Sequence, residues 1–134
     1  MKATIVLIAD AAAENYGRKI MLEANRAGGV GFEMARLPQH VSLKQPFFIK
    51  SLEEMEERFG PCPAEHDNDY VFHMTVSIGG APYEDYKRVY EELAKRAYRE
   101  ELVFDKLGLL YYDDDFIRPG TYFCYKVAKL VEHS

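Results

Sequence analysis

Two short segments of this chain repeat one pattern of side chains. Residues 40–43 read His-Val-Ser-Leu and residues 73–76 read His-Met-Thr-Val, so each has a histidine first, a hydroxyl third and apolar residues second and fourth. An imidazole has a pKa of about 6.5, so both its neutral and its protonated form occur near neutral pH. Histidine is therefore a common proton acceptor and donor in enzymes. The repeat therefore predicts a site with one acid and one base.

Cleavage of a phosphodiester or a cyclic phosphodiester is the reaction that fits such a pair. One neutral imidazole would accept a proton from the attacking water or hydroxyl, while the second, protonated, would donate a proton to the leaving oxygen. The hydroxyls of Ser42 and Thr75 would donate hydrogen bonds to the non-bridging phosphate oxygens. The sequence thus predicts His40 and His73 as catalytic residues that need no metal ion and no other cofactor.

Basic and aromatic side chains extend the predicted site. Three basic residues are candidates to bind the phosphate, since hydrogen bonds between charged groups are the strong ones: Arg36, Lys44 and Arg118. Of the ten tyrosines, three are candidates to stack on a base or a ribose: Tyr111, Tyr122 and Tyr125.

Other interpretations of these residues stay open. A single histidine is more often a core or surface residue than a catalytic one, and only the repeat with its hydroxyl favours a shared site. His40 and His73 could also bind zinc together with an Asp or Glu, although the chain lacks the H-E-x-x-H pattern. We expect His66, in a loop-forming segment, to be exposed to solvent, although it could reach the cleft if the loop folds over it. We expect His133, near the end of the chain, to be disordered.

The paired H-x-S/T-h motifs, the first followed by Lys-Gln-Pro-Phe at residues 44–47, resemble those of the two-histidine (2H) phosphoesterase superfamily. That superfamily includes the bacterial RNA 2',5'-ligase-like proteins and cyclic phosphodiesterases. The resemblance covers most of the chain. It implies two pseudo-symmetric halves around a central cleft, and a small nucleotide or an RNA end carrying a phosphodiester as the partner.

The chain departs from this family between the two motifs. In the family a helix, a pair of strands and another helix separate them, whereas here only residues 44–72 lie between. The shortened segment leaves two further interpretations open. The chain could be a binding module that retains the pocket without turnover, or a structural protein that forms a homodimer through an exposed sheet edge.

The elements that must position the motifs follow from hydrophobic spacing and from capping residues. Helices are predicted over residues 11–27, with Asp10 as N-cap and Gly28-Gly29 as stop, over a short segment opened by the Ser51 capping box, and over residues 82–97. In the last helix we expect i,i+4 ion pairs such as Glu92 with Arg96. Strands are predicted at residues 5–8, 32–37, at each motif (the second over 70–78), at 102–112 with a bulge at Gly108, and at 121–131. A loop over 61–69 and a turn over 113–120 complete the chain.

Composition and element order predict one α+β domain of residues 1–134, with mainly antiparallel sheet and two longer helices. The 48% hydrophobic and 29% charged residues are ordinary for a globular protein, and a net charge of -5 argues against coating nucleic acid. The two cysteines, Cys62 and Cys124, lack metal-site or disulfide spacing, and we expect Cys124 in the core. Without a membrane-spanning run or a signal peptide pattern, the expected location is cytoplasmic, with no membrane partner.

Overall fold

The computed structural model describes residues 1–43, 46–58, 71–112 and 122–130 of the 134. It contains helices together with a sheet of antiparallel strand pairs, which confirms the α+β class. The chain forms two compact units, one of Met1–Ile8, Val41–His73 and Asp105–Ser134, the other of Ala9–His40 and Met74–Phe104. The single domain and the pseudo-symmetric halves stay predictions.

The described elements follow one another in the order β1, α1, a 3-10 helix, β2, β3, α2, α3, β4 and β5. Their bounds are β1 Lys2–Ala9, α1 Ala11–Gly28, the 3-10 helix Glu33–Arg36, β2 His40–Ser42, β3 Phe47–Phe48, α2 Leu52–Arg58, α3 Tyr83–Leu93, β4 Phe104–Tyr112 and β5 Phe123–Lys129.

The sheet has the strand order β2-β1-β4-β5, and β3 also pairs with β1. The β-branched run of β1 is buried on both faces, as expected of a central strand, and its residues Ala3 and Ile5 pack with Met55 of α2 and Leu109 of β4. The Ser51 hydroxyl accepts a hydrogen bond from the Glu54 N–H at 3.2 Å, which confirms the predicted cap of α2. These contacts form the core of the first unit.

Gly108 of β4 lies against side chains of β1. A Cβ added to Gly108 would lie 2.5 Å from Ile8 Cδ1 and 2.9 Å from Val6 Cγ2, so the glycine gives these two side chains their room. The predicted bulge at Gly108 is wrong in detail, because Gly108 pairs regularly with Val127 and the register shifts only between Leu109 and Leu110. The extra residue is in β5, where Tyr125 is skipped.

Helix α1 of the second unit begins and ends as the sequence predicts. Asp10 Oδ1 accepts from the Ala13 N–H at 2.8 Å, and Gly29 adopts a left-handed φ of 66° after the last turn. Near its end α1 packs on α3, where a Cβ on Gly28 would lie 2.5 Å from Val89 Cγ2. Ala24, Val30 and Val89 form the core of this unit.

Helix α3 is shorter than the predicted 82–97. It ends at Leu93, and Pro82 is its N-cap residue. The predicted pair of Glu92 with Arg96 is also wrong, because Glu92 pairs with Lys95 and Arg96 lies beyond the end of the helix, where it pairs with Glu23 of α1. Ion pairs on the helix surface are weak enough for a tertiary contact to replace them.

Two predicted strands are wrong. Where a strand is predicted over residues 32–37, the structure has the 3-10 helix Glu33–Arg36, because Glu33, Met34 and Ala35 favour helical backbone. Its hydrogen bonds run from the Ala35 N–H to the Phe32 carbonyl and from the Leu37 N–H to the Met34 carbonyl. Of residues 71–78, only Met74 forms a β-bridge. An alternating sequence would place polar and apolar side chains on opposite faces of a strand. A strand also needs a neighbouring strand for its backbone hydrogen bonds.

Among the described residues, no helix combines the length and the apolar character needed to cross a membrane.

Candidate functional site

The first histidine lies in a formed strand. β2 consists of His40, Val41 and Ser42, as predicted, and both His40 and Ser42 are half-buried. His40 Nδ1 lies 2.8 Å from the carbonyl oxygen of Pro38. Because a carbonyl can only accept, Nδ1 carries the proton, and the neutral ring has its lone pair on Nε2. His40 is therefore held in the tautomer in which Nε2 is the base.

The chain leading to His40 is bound by an ion pair on helix α1. Arg18 Nε donates to Glu14 Oε1 at 2.8 Å, and the two other nitrogens of Arg18 donate to the carbonyls of Ala35 and Leu37, each at 3.0 Å. Glu14 Oε2 accepts from the Gln39 N–H at 2.7 Å. One pair of side chains thus fixes three backbone groups just before the histidine.

Gln39 is a residue that the sequence interpretation missed. Its side chain is 1% exposed, and neither its amide nitrogen nor its amide oxygen has a hydrogen-bond partner among the described residues. The amide packs on Gly17 of α1, where an added Cβ would lie 2.6 Å from the Gln39 oxygen. A buried amide without hydrogen-bond partners destabilises a fold. Gln39, which directly precedes His40, is therefore an unfavourable residue at a buried position.

The second histidine repeats the hydrogen bond of the first. His73 Nδ1 lies 2.8 Å from the carbonyl oxygen of Val71, also two residues earlier, so His73 has the same tautomer. In contrast to His40, the His73 residue is exposed, and the segment around it forms only the bridge at Met74. Thr75, the hydroxyl of this motif, is half-buried.

The predicted site residues divide between the two units. The second unit contains Arg36, His40 and Thr75, and the first contains Ser42 and His73. Arg36 ends the 3-10 helix, is exposed, and donates to the Glu33 carbonyl at 3.3 Å. The other two predicted phosphate-binding residues, Lys44 and Arg118, lie outside the described residues, as do the histidines at 66 and 133.

The tyrosines predicted to stack on a nucleotide differ in accessibility. Tyr111 is 8% exposed and belongs to the core, so that assignment is wrong. Tyr122 lies against Tyr112 with ring centroids 5.3 Å apart, and burial raises the pKa of its hydroxyl. Tyr125 is 38% exposed on β5, and Cys124 beside it is half-buried, with the pKa of its thiol raised by burial. Of the three tyrosines, Tyr125 has the most open ring.

A groove lined by arginines and glutamates lies between α1 and α3 of the second unit. Its volume is about 410 Å³, and its charged lining residues are Glu23, Arg26, Arg88, Glu92 and Arg96. The Tyr98 hydroxyl donates to the Glu23 carboxylate at 2.8 Å, and Arg96 forms an ion pair with the same carboxylate at 2.6 Å. Both contacts lower the pKa of Glu23. Within the groove Glu23 and Arg96 therefore pair with each other, while Arg88 pairs with Asp85 and Glu92 with Lys95, neither of which lines it.

No cluster of three or more His, Cys, Asp or Glu side chains suited to a metal ion occurs within the described part of the chain. Matching against models of known protein families gives no match, and a search of curated proteins gives none either. What this chain does must therefore be inferred from its own side chains.

Proposed function

We propose that this chain is a metal-independent phosphoesterase of the two-histidine type, which hydrolyses a 2',3'-cyclic phosphate or a 2',5'-linked phosphodiester of a nucleotide or an RNA end. In the reaction a neutral imidazole accepts a proton from water as the water oxygen bonds to phosphorus. The bond from phosphorus to one ribose oxygen breaks, and the other histidine, protonated, donates its proton to that oxygen. His40 and His73 end with exchanged protonation states, and proton exchange with solvent restores them.

One observation supports this proposal above the others, namely the matched hydrogen bonds of the two rings. Each histidine donates from Nδ1 to the carbonyl two residues before it, at 2.8 Å in both cases. Such a bond orients the ring and makes Nε2, instead of Nδ1, the nitrogen that would accept or donate the proton in catalysis. The same bond recurs at the second motif with the same sequence pattern, which supports one shared role for the two rings.

The hydroxyls and a cation complete the proposed chemistry. Ser42 and Thr75 would donate hydrogen bonds to the phosphate oxygens that gain charge in the transition state. Arg36 is exposed near the first motif in sequence and would supply a charge-assisted bond to the phosphate, as would Lys44 and Arg118. Proton transfer by two imidazoles requires no cofactor.

The test is hydrolysis of a 2',3'-cyclic nucleotide in the presence of a chelator. We expect turnover with a bell-shaped pH profile, because one imidazole must be neutral and the other protonated. His40→Ala and His73→Ala should each lower kcat by about 10²- to 10⁴-fold, the usual contribution of a general acid or base. His133→Ala, which removes a histidine outside both motifs, is the matched control and should retain the wild-type rate.

Other outcomes would identify the rival interpretations. Activity that is lost with chelator and restored by zinc or manganese would replace the two-histidine mechanism with a metal-dependent one. Saturable nucleotide binding without turnover would indicate a binding module. Neither binding nor turnover, with a dimer in solution, would favour the structural protein that pairs through a sheet edge; β5, at one end of the strand order, is the edge to disrupt first.

A further inference from the structure

We propose that Glu14 is a positioning residue for His40 and acts on the imidazole through the Pro38–Gln39 peptide group. The inference rests on the proposed function for its catalytic meaning. The contacts that carry it belong to the second unit alone, and its central measurement needs no turnover.

The two hydrogen bonds concerned share one peptide group. Glu14 Oε2 accepts from the Gln39 N–H at 2.7 Å, and the Pro38 oxygen accepts from His40 Nδ1 at 2.8 Å. The Gln39 nitrogen and the Pro38 carbonyl are joined by the peptide bond, whose resonance holds them in one plane and links the charge on the nitrogen to that on the oxygen. A carboxylate, a peptide group and an imidazole therefore form one continuous chain of hydrogen bonds.

The charge of the Glu14 carboxylate polarises this chain of hydrogen bonds toward the imidazole. A carboxylate that accepts the N–H bond draws positive charge toward that hydrogen and increases the negative charge on the carbonyl oxygen. Hydrogen bonds linked in this way strengthen one another, by about 10–30% per bond. The more negative oxygen is a better acceptor for the Nδ1–H of His40, so the Nδ1–H tautomer and the protonated ring are both stabilised. Glu14 would thus act on His40 as a carboxylate acts when bonded to a histidine directly.

Arg18 holds the carboxylate in position for this role. Its Nε donates to the other carboxylate oxygen, and its remaining donors bind the Ala35 and Leu37 carbonyls. The side chains of Arg18 and Glu14 are 35% and 27% exposed, so solvent screens their mutual attraction in part. Their geometry is nevertheless fixed at both ends, because Arg18 and Glu14 each bind the backbone of the segment that leads to His40.

The decisive experiment compares Glu14→Gln with wild type by ¹⁵N NMR of the histidine rings. A glutamine has nearly the same shape and is able to accept the Gln39 N–H through its amide oxygen, but it carries no charge and its amide nitrogen cannot accept from Arg18 Nε. We expect the nitrogen shifts of His40 to move toward the Nε2–H tautomer, while those of His73 stay as in wild type. Glu91→Gln, which alters an exposed glutamate of α3, is the matched control and should move neither.

The kinetic arm uses the same variants on a 2',3'-cyclic nucleotide. We expect Glu14→Gln to lower kcat about tenfold with little change in KM, as for partners that orient a functional imidazole. A purely structural role would instead lower thermal stability and leave the His40 spectrum unchanged in the folded protein, which would overturn the proposal. Glu14→Ala serves as the stronger variant, and Glu14→Gln remains decisive where the alanine variant fails to fold.

The two proposals fail separately. If wild type hydrolyses the nucleotide while Glu14→Gln changes neither the His40 shifts nor kcat, the proposed function stands and the role of Glu14 falls. If the His40 shifts move in Glu14→Gln while wild type hydrolyses no phosphodiester, the effect of Glu14 on the imidazole stands and the phosphoesterase proposal falls.

Discussion

The two histidine motifs have the same sequence pattern and the same kind of hydrogen bond from Nδ1, but they differ in how much surrounding structure holds each histidine. His40 lies in strand β2, is half-buried, and follows a backbone segment bound by Glu14 and Arg18. His73 is exposed, and its segment forms a single bridge at Met74. The comparison teaches that a local contact, the bond from Nδ1 to the carbonyl two residues back, needs only the short sequence around it. The rigidity of a catalytic ring depends on what the rest of the fold places behind it.

After the histidine variants, the largest expected effect comes from the two hydroxyls. We expect Ser42→Ala and Thr75→Ala each to lower kcat/KM by about 10- to 1000-fold, since one lost hydrogen-bond donor to a phosphate oxygen costs ~1.5 to 4 kcal/mol of transition-state stabilisation. Ser42→Ala should not unfold the protein, because the neighbouring Leu43 packs on the core of the first unit. Thr75→Ala should not unfold it either, because Thr75 is only half-buried. Ser77→Ala, at the residue directly after the second motif, is the control. Full activity of both hydroxyl variants beside inactive histidine variants would show that these hydroxyls do not bind phosphate.

Removal of the Arg18 side chain should release the backbone segment that leads to the first motif. Arg18→Ala loses the pair with Glu14 and two bonds to backbone carbonyls, and we expect the free energy of unfolding to fall by about 2 kcal/mol. Arg36→Ala removes an exposed arginine with one long bond to a carbonyl, and should change stability by less than ~0.5 kcal/mol. Denaturant unfolding measures both. Equal losses in the two variants would mean that the ion pair on α1 does not hold the segment.

The smallest expected effect is a gain in stability at Gln39. Gln39→Met keeps most of the volume and removes a buried amide that has no hydrogen-bond partner among the described residues, so the free energy of unfolding should rise by about 1 kcal/mol. Gln39→Glu is the opposing control, since a charge buried there should lower stability. A methionine variant less stable than wild type would show that the amide has a hydrogen-bond partner in solution.

Much of the second unit could be predicted from the sequence. Asp10 and Gly29 cap α1 as their residue types predict, because a side-chain acceptor and a left-handed glycine satisfy the end groups of a helix locally. The alternation over residues 32–37 predicts a strand where the structure has the 3-10 helix Glu33–Arg36, since a short apolar and polar alternation fits either structure. Arg96 could not be assigned from spacing, because its partner Glu23 lies far away in the sequence.

The sequence by itself determined the α+β class, the caps of α1 and the strand at His40. It also determined that a hydroxyl residue follows each histidine by two positions. All of these depend on residues within a few positions of each other. Only the tertiary structure decided that Glu14 and Arg18 of α1 bind the backbone before His40, that Gln39 lies buried against Gly17, and that the second motif has one bridge instead of a strand. Such contacts join residues distant in the chain. They form because the fold brings a particular carboxylate, guanidinium or glycine within hydrogen-bond or packing distance, which no local spacing encodes.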